Sequence, residues 1–171
     1  GAVIGGNLKI TGEDRASWKD GTLKGKKQGR MKLKFQTEEK SETYLVLKDL
    51  SSRLKVRKKH MLSVQSKKAR QEIPMCAVSN EKKMKRDVIA VNLGIRQAGT
   101  CSLHFHKSHT YKLKEMEIYG ISESFIKEQT KKRRKESMTD VKQSTNCIKG
   151  RISVSEDKIL QLAVPYSRGW H

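Results

Sequence analysis

Asp87–Ile95 reads DVIAVNLGI, the longest nearly uncharged apolar run in the chain. Valine, isoleucine and leucine dominate it, Gly94 closes it, and it falls well short of the roughly 20 residues that span a bilayer. A strand covered on both sides carries charge on neither, so the run predicts a doubly buried strand at the centre of the fold. A dense basic region, Arg53–Arg86, comes before it. A histidine-bearing strand, Cys101–His106, follows after a turn near Gly99, and a second basic tract, Lys127–Lys135, lies further on. The picture is a small β-rich core wrapped in positive charge.

Composition supports that picture. The chain has 171 residues, 35% hydrophobic and only 5% aromatic, which limits it to a modest aliphatic core. Lys and Arg number 38 against 18 Asp and Glu, for a formal charge of +20. Self-repulsion at that charge opposes compactness unless counter-charge is bound, so the expected partner is acidic: nucleic acid, nucleoprotein or an anionic lipid surface. Cys76, Cys101 and Cys147 are odd in number and widely spaced. They do not form a disulfide framework and read as reduced thiols of an intracellular protein.

Alternation gives the strands. In Arg30–Gln36, Met31, Leu33 and Phe35 face one way while Lys32 and Lys34 face the other, a half-buried strand with a basic outer face. Thr43–Leu47 predicts a second strand, joined to the first as a hairpin across Glu38–Glu42. Arg53–Val56 is strand-like, Ser66–Glu72 reads as a short helix ended at Pro74, and Asn80–Arg86 as another short helix or a loop. In Thr100–His106, Cys101, Leu103 and Phe105 share one face, and Ser102, His104 and His106 the other. Tyr111–Tyr119 changes phase near Lys114-Glu115, the mark of a bulge. Ser122–Glu136 is the main helix, with Glu123 in its first turn and Lys131–Lys135 loading its C-terminal end. Phe125, Ile126 and Gln129 are expected to face inward. Ser137–Asn146 reads as a loop, and Ile148–Val154 with Lys158–Val164 as a last hairpin. Glu13–Gly29 also reads as a loop, its Gly25-Lys26-Lys27 lacking the spacing of a phosphate-binding P-loop.

The fold class expected is therefore α+β, β-rich, a mostly antiparallel sheet or sandwich with one main helix, about 122–136, and short helical segments. Residues 1–171 are expected to form a single basic domain, with 13–29, 58–86 and 137–146 as mobile segments.

Phosphate binding needs Lys and Arg in number, and the runs supply three candidate patches. One comprises Lys32, Lys34, Lys55, Arg57, Lys58 and Lys59, extended by Lys67, Lys68 and Arg70. A second is Lys82, Lys83, Lys85 and Arg86. The third is Lys131, Lys132, Arg133, Arg134 and Lys135. The bland alternative is a solvated face. Few aromatics interleave with the charge, which disfavours a reader of stacked single-stranded bases and favours backbone contact. Cys101, His104, His106 and His109 are the metal-like set, but nothing in their spacing supplies four ligands from two segments. No catalytic residue, cofactor or metal is assigned.

In profile the chain is similar to small basic viral structural proteins of the matrix or coat type. That similarity is compositional. It implies a non-enzymatic assembly protein binding RNA or ribonucleoprotein, contacting an anionic membrane surface and self-associating as a homo-oligomer, inside the cell or in a virion. Two alternatives remain: a metal-dependent nucleic-acid enzyme using the His104 and His106 region, and a nuclear regulatory module imported through Lys132–Lys135.

Overall fold

The fold is organised by one very long strand rather than by the apolar run. In the computed structural model, which describes residues 2–53, 62–67, 70–73, 83–135, 137–144, 147–154 and 156, Thr22–Arg53 is continuous strand over 32 residues (β2). It follows β1 (Val3–Lys19) through a turn at Asp20-Gly21. Both turn residues have positive φ, 47° and 71°, the type I′ geometry whose twist suits a two-residue hairpin and which an Asp-Gly pair adopts readily. Glu13–Gly29, expected as a loop, is thus the heart of a hairpin.

β2 serves two sets of neighbours, and most pairings are antiparallel. Its first half pairs with β1, from Lys19↔Thr22 to Gly6↔Thr37. The opposite edge of that half takes the end of β5 (Lys83–Phe105), from Arg30↔His104 to Gln36↔Ala98. Its second half pairs with β7 (Glu115–Ser122), from Ser41↔Ser122 to Lys48↔Glu115, and with the beginning of β5, from Ser41↔Arg96 to Arg53↔Lys83. The hairpin expected between Arg30–Gln36 and Thr43–Leu47 does not exist: both stretches lie in the same strand and take separate partners.

Between the halves the register slips on the β5 side, from Gln36 to Ser41. Three buried hydroxyls line that irregularity, Thr37, Ser41 and Thr43. Thr37 Oγ1 lies within donor distance of the Glu39 and Gln97 carbonyls (2.8 and 3.1 Å), and Thr43 Oγ1 donates to the Arg96 carbonyl (3.0 Å). A bulge leaves ladder carbonyls without backbone partners, and these side chains satisfy them.

β3 (Leu62–Ser66) lies beside the end of β5, and β4 (Arg70–Glu72) beside β3. Ser66–Glu72, expected as a helix, therefore contributes to two strands, and Lys83–Arg86 begins β5 rather than a helix. β6 (His109–Lys112) runs parallel to the start of β2 and also reaches Ser51 near its end, so both ends of β2 meet at Lys112. Leu113 and Lys114 interrupt β6 and β7, where the phase of the sequence changes.

The strand thus curls around one aliphatic core. Leu23, Met31, Leu33 and Phe35 enter it from the first half of β2, and Leu45, Leu47 and Leu50 from the second. Leu103, Phe105, Tyr111, Leu113 and Ile118 complete it. Gly25 is part of this packing: a Cβ there would sit 2.3 Å from the Phe105 ring. Trp18 anchors β1 by donating its indole N–H to the Leu113 carbonyl (2.9 Å).

Asp87–Ile95 is covered on one side only. Val91 and Leu93 are buried and Ile89 packs against the core, but Val88 is 62% exposed and Ile95 52%. Among the described residues this half of β5 pairs with β2 alone.

The chain divides into two compact units, Gly1–Ile126 and Lys127–His171. The helix α1 (Glu123–Lys135) buries no residue, so the inward placement expected for Phe125, Ile126 and Gln129 does not occur. Its last turn is wholly basic, as read. In the second unit β8 (Thr139–Ser144) pairs with β9 (Cys147–Arg151), where a loop was expected over Ser137–Asn146. Lys158–Val164 lies outside the described residues. Among those described, the fold is mostly antiparallel β with a single short helix.

Candidate anion-binding site

Residues directly opposite each other on paired strands share a face, so the register shows which cations come together. Lys9 stands opposite Lys34, and Lys34 opposite Thr100. Gly12 stands opposite Lys32, Lys32 opposite Ser102, and Ser102 opposite Gln65, whose other neighbour is Arg70. Asp14 stands opposite Arg30, Arg30 opposite His104, and His104 opposite Ser63. Lys9, Arg30, Lys32 and Lys34 are all exposed, and none forms an ion pair with a carboxylate among the described residues. The acids on this face lie by other cations: Asp14 is 3.9 Å from Arg15, and Glu72, opposite Ser63, is 2.8 Å from Arg70. Successive outward residues of one strand lie about 7 Å apart, and neighbouring strands about 5 Å. The outcome is a compact lattice of positive charge. Lys9 and Lys34 oppose each other directly, an arrangement that costs stability unless an anion offsets it.

A groove crosses this face. Thr11, Arg30, Lys32, Gln65, Ser66, Lys67, Thr100, Cys101 and Ser102 line a volume of about 460 Å³. Three cations, two from β2 and one from the turn after β3, meet four hydroxyls and one amide there, and among the described residues the lining includes no carboxylate. Cys101 is a neighbour of Leu33 in the sheet and 4% exposed. Burial pushes its thiol up to about 12, so it stays protonated and is a core side chain rather than a nucleophile.

A side-chain network flanks the groove. Gln65 Nε2 donates to His104 Nδ1 (3.1 Å), and His104 Nε2 in turn donates to Gln28 Oε1 (2.9 Å). These contacts assign the neutral imidazole with its proton on Nε2. Burial holds the pKa of His104 below the ordinary imidazole value, and His106, Arg30 and Arg70 push in the same direction. His106 meets the Ser63 hydroxyl (2.9 Å) and Arg70 (3.1 Å), lies 3.7 Å from Glu72, and its ring stands edge-on to His104 at 4.6 Å. Arg70 pairs with Glu72 at 2.8 Å.

The metal-like set of the sequence is thus dispersed. His109 contacts Ser52 and packs on Tyr111, and Cys101 faces the core. No cluster of three metal-ligating side chains forms among the described residues.

The other cations named from the sequence are scattered. Lys32, Lys34, Lys67 and Arg70 lie on or beside the groove's face. Lys85 pairs with Asp87 (3.3 Å), Arg86 is half-buried, and Lys83 sits at the start of β5. Lys131, Lys132, Arg133, Arg134 and Lys135 are exposed on α1 in the second unit, Lys132 meeting Glu128 at 2.8 Å. Lys55, Arg57, Lys58, Lys59, Lys68 and Lys82 lie outside the described residues. Sequence reasoning missed Lys9 and Arg30, because only strand register sets them beside Lys34 and Lys32. It also missed the groove's hydroxyls, which no periodic signal marks.

No curated protein matches the chain. Residues 7–171 match the family described as bacterial membrane protein YfhO. That match overturns the viral matrix- or coat-like reading, with its RNA-packaging role and its virion or nuclear address. Positive charge specifies an anionic partner but not its kind, and composition alone had supplied the rest. Among the described residues no helix is long and apolar enough to cross a membrane. Matched over nearly its whole length, the chain belongs to the bacterial membrane protein YfhO family.

Proposed function

We propose that the Gly1–Ile126 unit is a non-enzymatic binding module that lays its basic sheet face on the anionic headgroup surface of a bilayer. The observation that carries this reading is the direct opposition of Lys9 and Lys34, continued by Lys32 and Arg30, with no carboxylate paired to any of them among the described residues. A plane of cations on a rigid sheet suits a plane of phosphates, and each Lys or Arg near an anionic leaflet contributes roughly 1 kcal/mol. Membership of a membrane-protein family favours this surface over other polyanions. The buried, protonated Cys101 and the engagement of His104 and His106 by neighbouring side chains support a binding role over catalysis.

Co-sedimentation of the full chain with vesicles tests this. Binding is expected to vesicles containing phosphatidylglycerol, to fall steeply as salt rises, and to be weak on pure phosphatidylcholine. The triple variant K9Q/K32Q/K34Q should bind on the order of 100-fold more weakly, the sum of three such contacts. Equal binding to both vesicle types, or an unaffected triple variant, would overturn the reading.

A further inference from the structure

We propose that the groove on the basic face is a discrete site for a phosphate ester bearing hydroxyl groups, with Arg30, Lys32 and Lys67 holding the phosphate and the surrounding hydroxyls holding the polyol. This rests on the reading of the face as anion-binding and deepens it, from a charged plane to a selective site.

Three observations support the assignment. First, the cations arrive from separate elements, Arg30 and Lys32 on β2 and Lys67 in the turn after β3, and they border one concavity. A phosphate presents three acceptor oxygens in different directions, whereas a carboxylate is satisfied by a single guanidinium fork. Second, Thr11, Ser66, Thr100 and Ser102 line the same space. A hydroxyl both donates and accepts, so such a lining matches ligand hydroxyls, while inorganic phosphate, with only one or two P–OH donors, would use few of its acceptors. Third, the volume of about 460 Å³ has room for a small polyol phosphate, far more than a lone phosphate fills.

Gln65 gives the site a built-in reporter. It lines the groove and donates to His104 Nδ1. An anion settling beside Arg30 offsets the positive field that acts on His104, so binding should raise the imidazole's pKa. The other charged or titratable groups facing that ring are His106, Arg70 and Glu72.

The test uses the full chain with inorganic phosphate, glycerol 3-phosphate and glycerol as probes, followed by calorimetry and by the His104 imidazole resonance across pH. Glycerol 3-phosphate is expected to bind saturably and more tightly than inorganic phosphate, with glycerol silent. It should also move the His104 titration upward. The variant R30Q/K67Q alters exposed side chains only and should keep its melting temperature while losing about tenfold or more in affinity. K9Q/K34Q should weaken vesicle binding yet leave glycerol 3-phosphate binding within about twofold. Phosphatidylglycerol vesicles that compete with the free ester would identify the ligand as a lipid headgroup; failure to compete would identify it as a soluble ester, and either result supports the site. Vesicle binding without saturable glycerol 3-phosphate binding would overturn the groove and leave the charged plane standing. Absence of both would overturn both.

Discussion

The two halves of β2 lie on one core yet present opposite surfaces. Thr22–Thr37 carries six cations and no carboxylate; Glu38–Arg53 carries three cations and four carboxylates. Inward they are alike, with Leu33 and Phe35 in one half answered by Leu45 and Leu47 in the other, all essentially inaccessible. Outward they diverge. The first half opposes Lys34 with Lys9. The second surrounds Lys48 with acids: Glu117 at 2.5 Å, Glu115 at 3.1 Å, and the Tyr119 hydroxyl at 3.4 Å, itself bonded to Glu117. The hydrogen bonds that the Lys48 ammonium donates to Glu117 and Glu115 hold it well above its ordinary pKa, and Lys48 holds the Glu117 carboxyl below its own. One half resolves its charge internally. The other leaves it facing outward, and that contrast underlies the proposed binding surface.

The largest expected effect tests whether the halves really share a core. Leu33→Ala and Leu45→Ala should each cost about 2–5 kcal/mol in denaturant unfolding, as fully buried leucines do, and each should retain a single transition for the Gly1–Ile126 unit. Loss of one half's signal before the other's would mean that the bulge at Thr37–Ser41 separates two folding units, and the contrast would be between two modules.

Next in size is an exchange of outer charges. Neutralising Glu42, Glu115 and Glu117 together should leave vesicle affinity unchanged or slightly raised. Neutralising Lys9, Lys32 and Lys34 should reduce it steeply. Equal losses from both variants would show that the two faces do not differ in function.

A smaller effect is expected from pH. His104 is held neutral in the folded chain, its pKa depressed chiefly by burial, while the unfolded chain titrates near 6.5. Below that value the unfolded state binds more protons, so stability is full above about pH 6.5 and declines as pH falls toward the lower folded value. Melting temperature at pH 7.5 and 5.5 measures this, and His104→Gln should flatten the dependence in that window. An unchanged slope would show that His104 is not the group responsible.

These contrasts were legible in the sequence only in part. Alternation within Arg30–Gln36 and Thr100–His106 gave the correct inward residues, because a strand's two-residue period survives in any sheet. The helix α1 was legible from the acidic Glu123 in its first turn and the cations of its last. Three features were not. Asp20-Gly21 is a strong hairpin signal, but the lysine-rich flanks masked it as a loop; strands there are held by Leu23 and Trp18 rather than by a periodic run. The good helix formers of Ser66–Glu72 are overridden because Arg70–Glu72 pair with Ser63–Gln65 of β3, which is itself held in place by the end of β5, a tertiary effect that local propensity does not contain. Asp87–Ile95 seemed buried on both faces, since apolarity alone does not distinguish a strand covered on both faces from one with outward Val88 and Ile95. The groove was invisible for the same reason: Thr11, Lys32, Gln65 and Ser102 become neighbours only through register.

The smallest effect separates a surface kept for binding from one that is merely basic. Lys34→Gln removes the repulsion between Lys9 and Lys34, so the melting temperature should rise slightly at low salt, and the gain should vanish at high salt as screening removes the repulsion in the parent chain. The same substitution should weaken vesicle binding. Opposite signs in stability and binding are what a functional site held at some structural cost produces. If Lys34→Gln instead lowers the melting temperature at every salt concentration, the aliphatic stem of Lys34 contributes more by packing than its charge costs, and the opposition of the two lysines loses its weight as evidence for an anion.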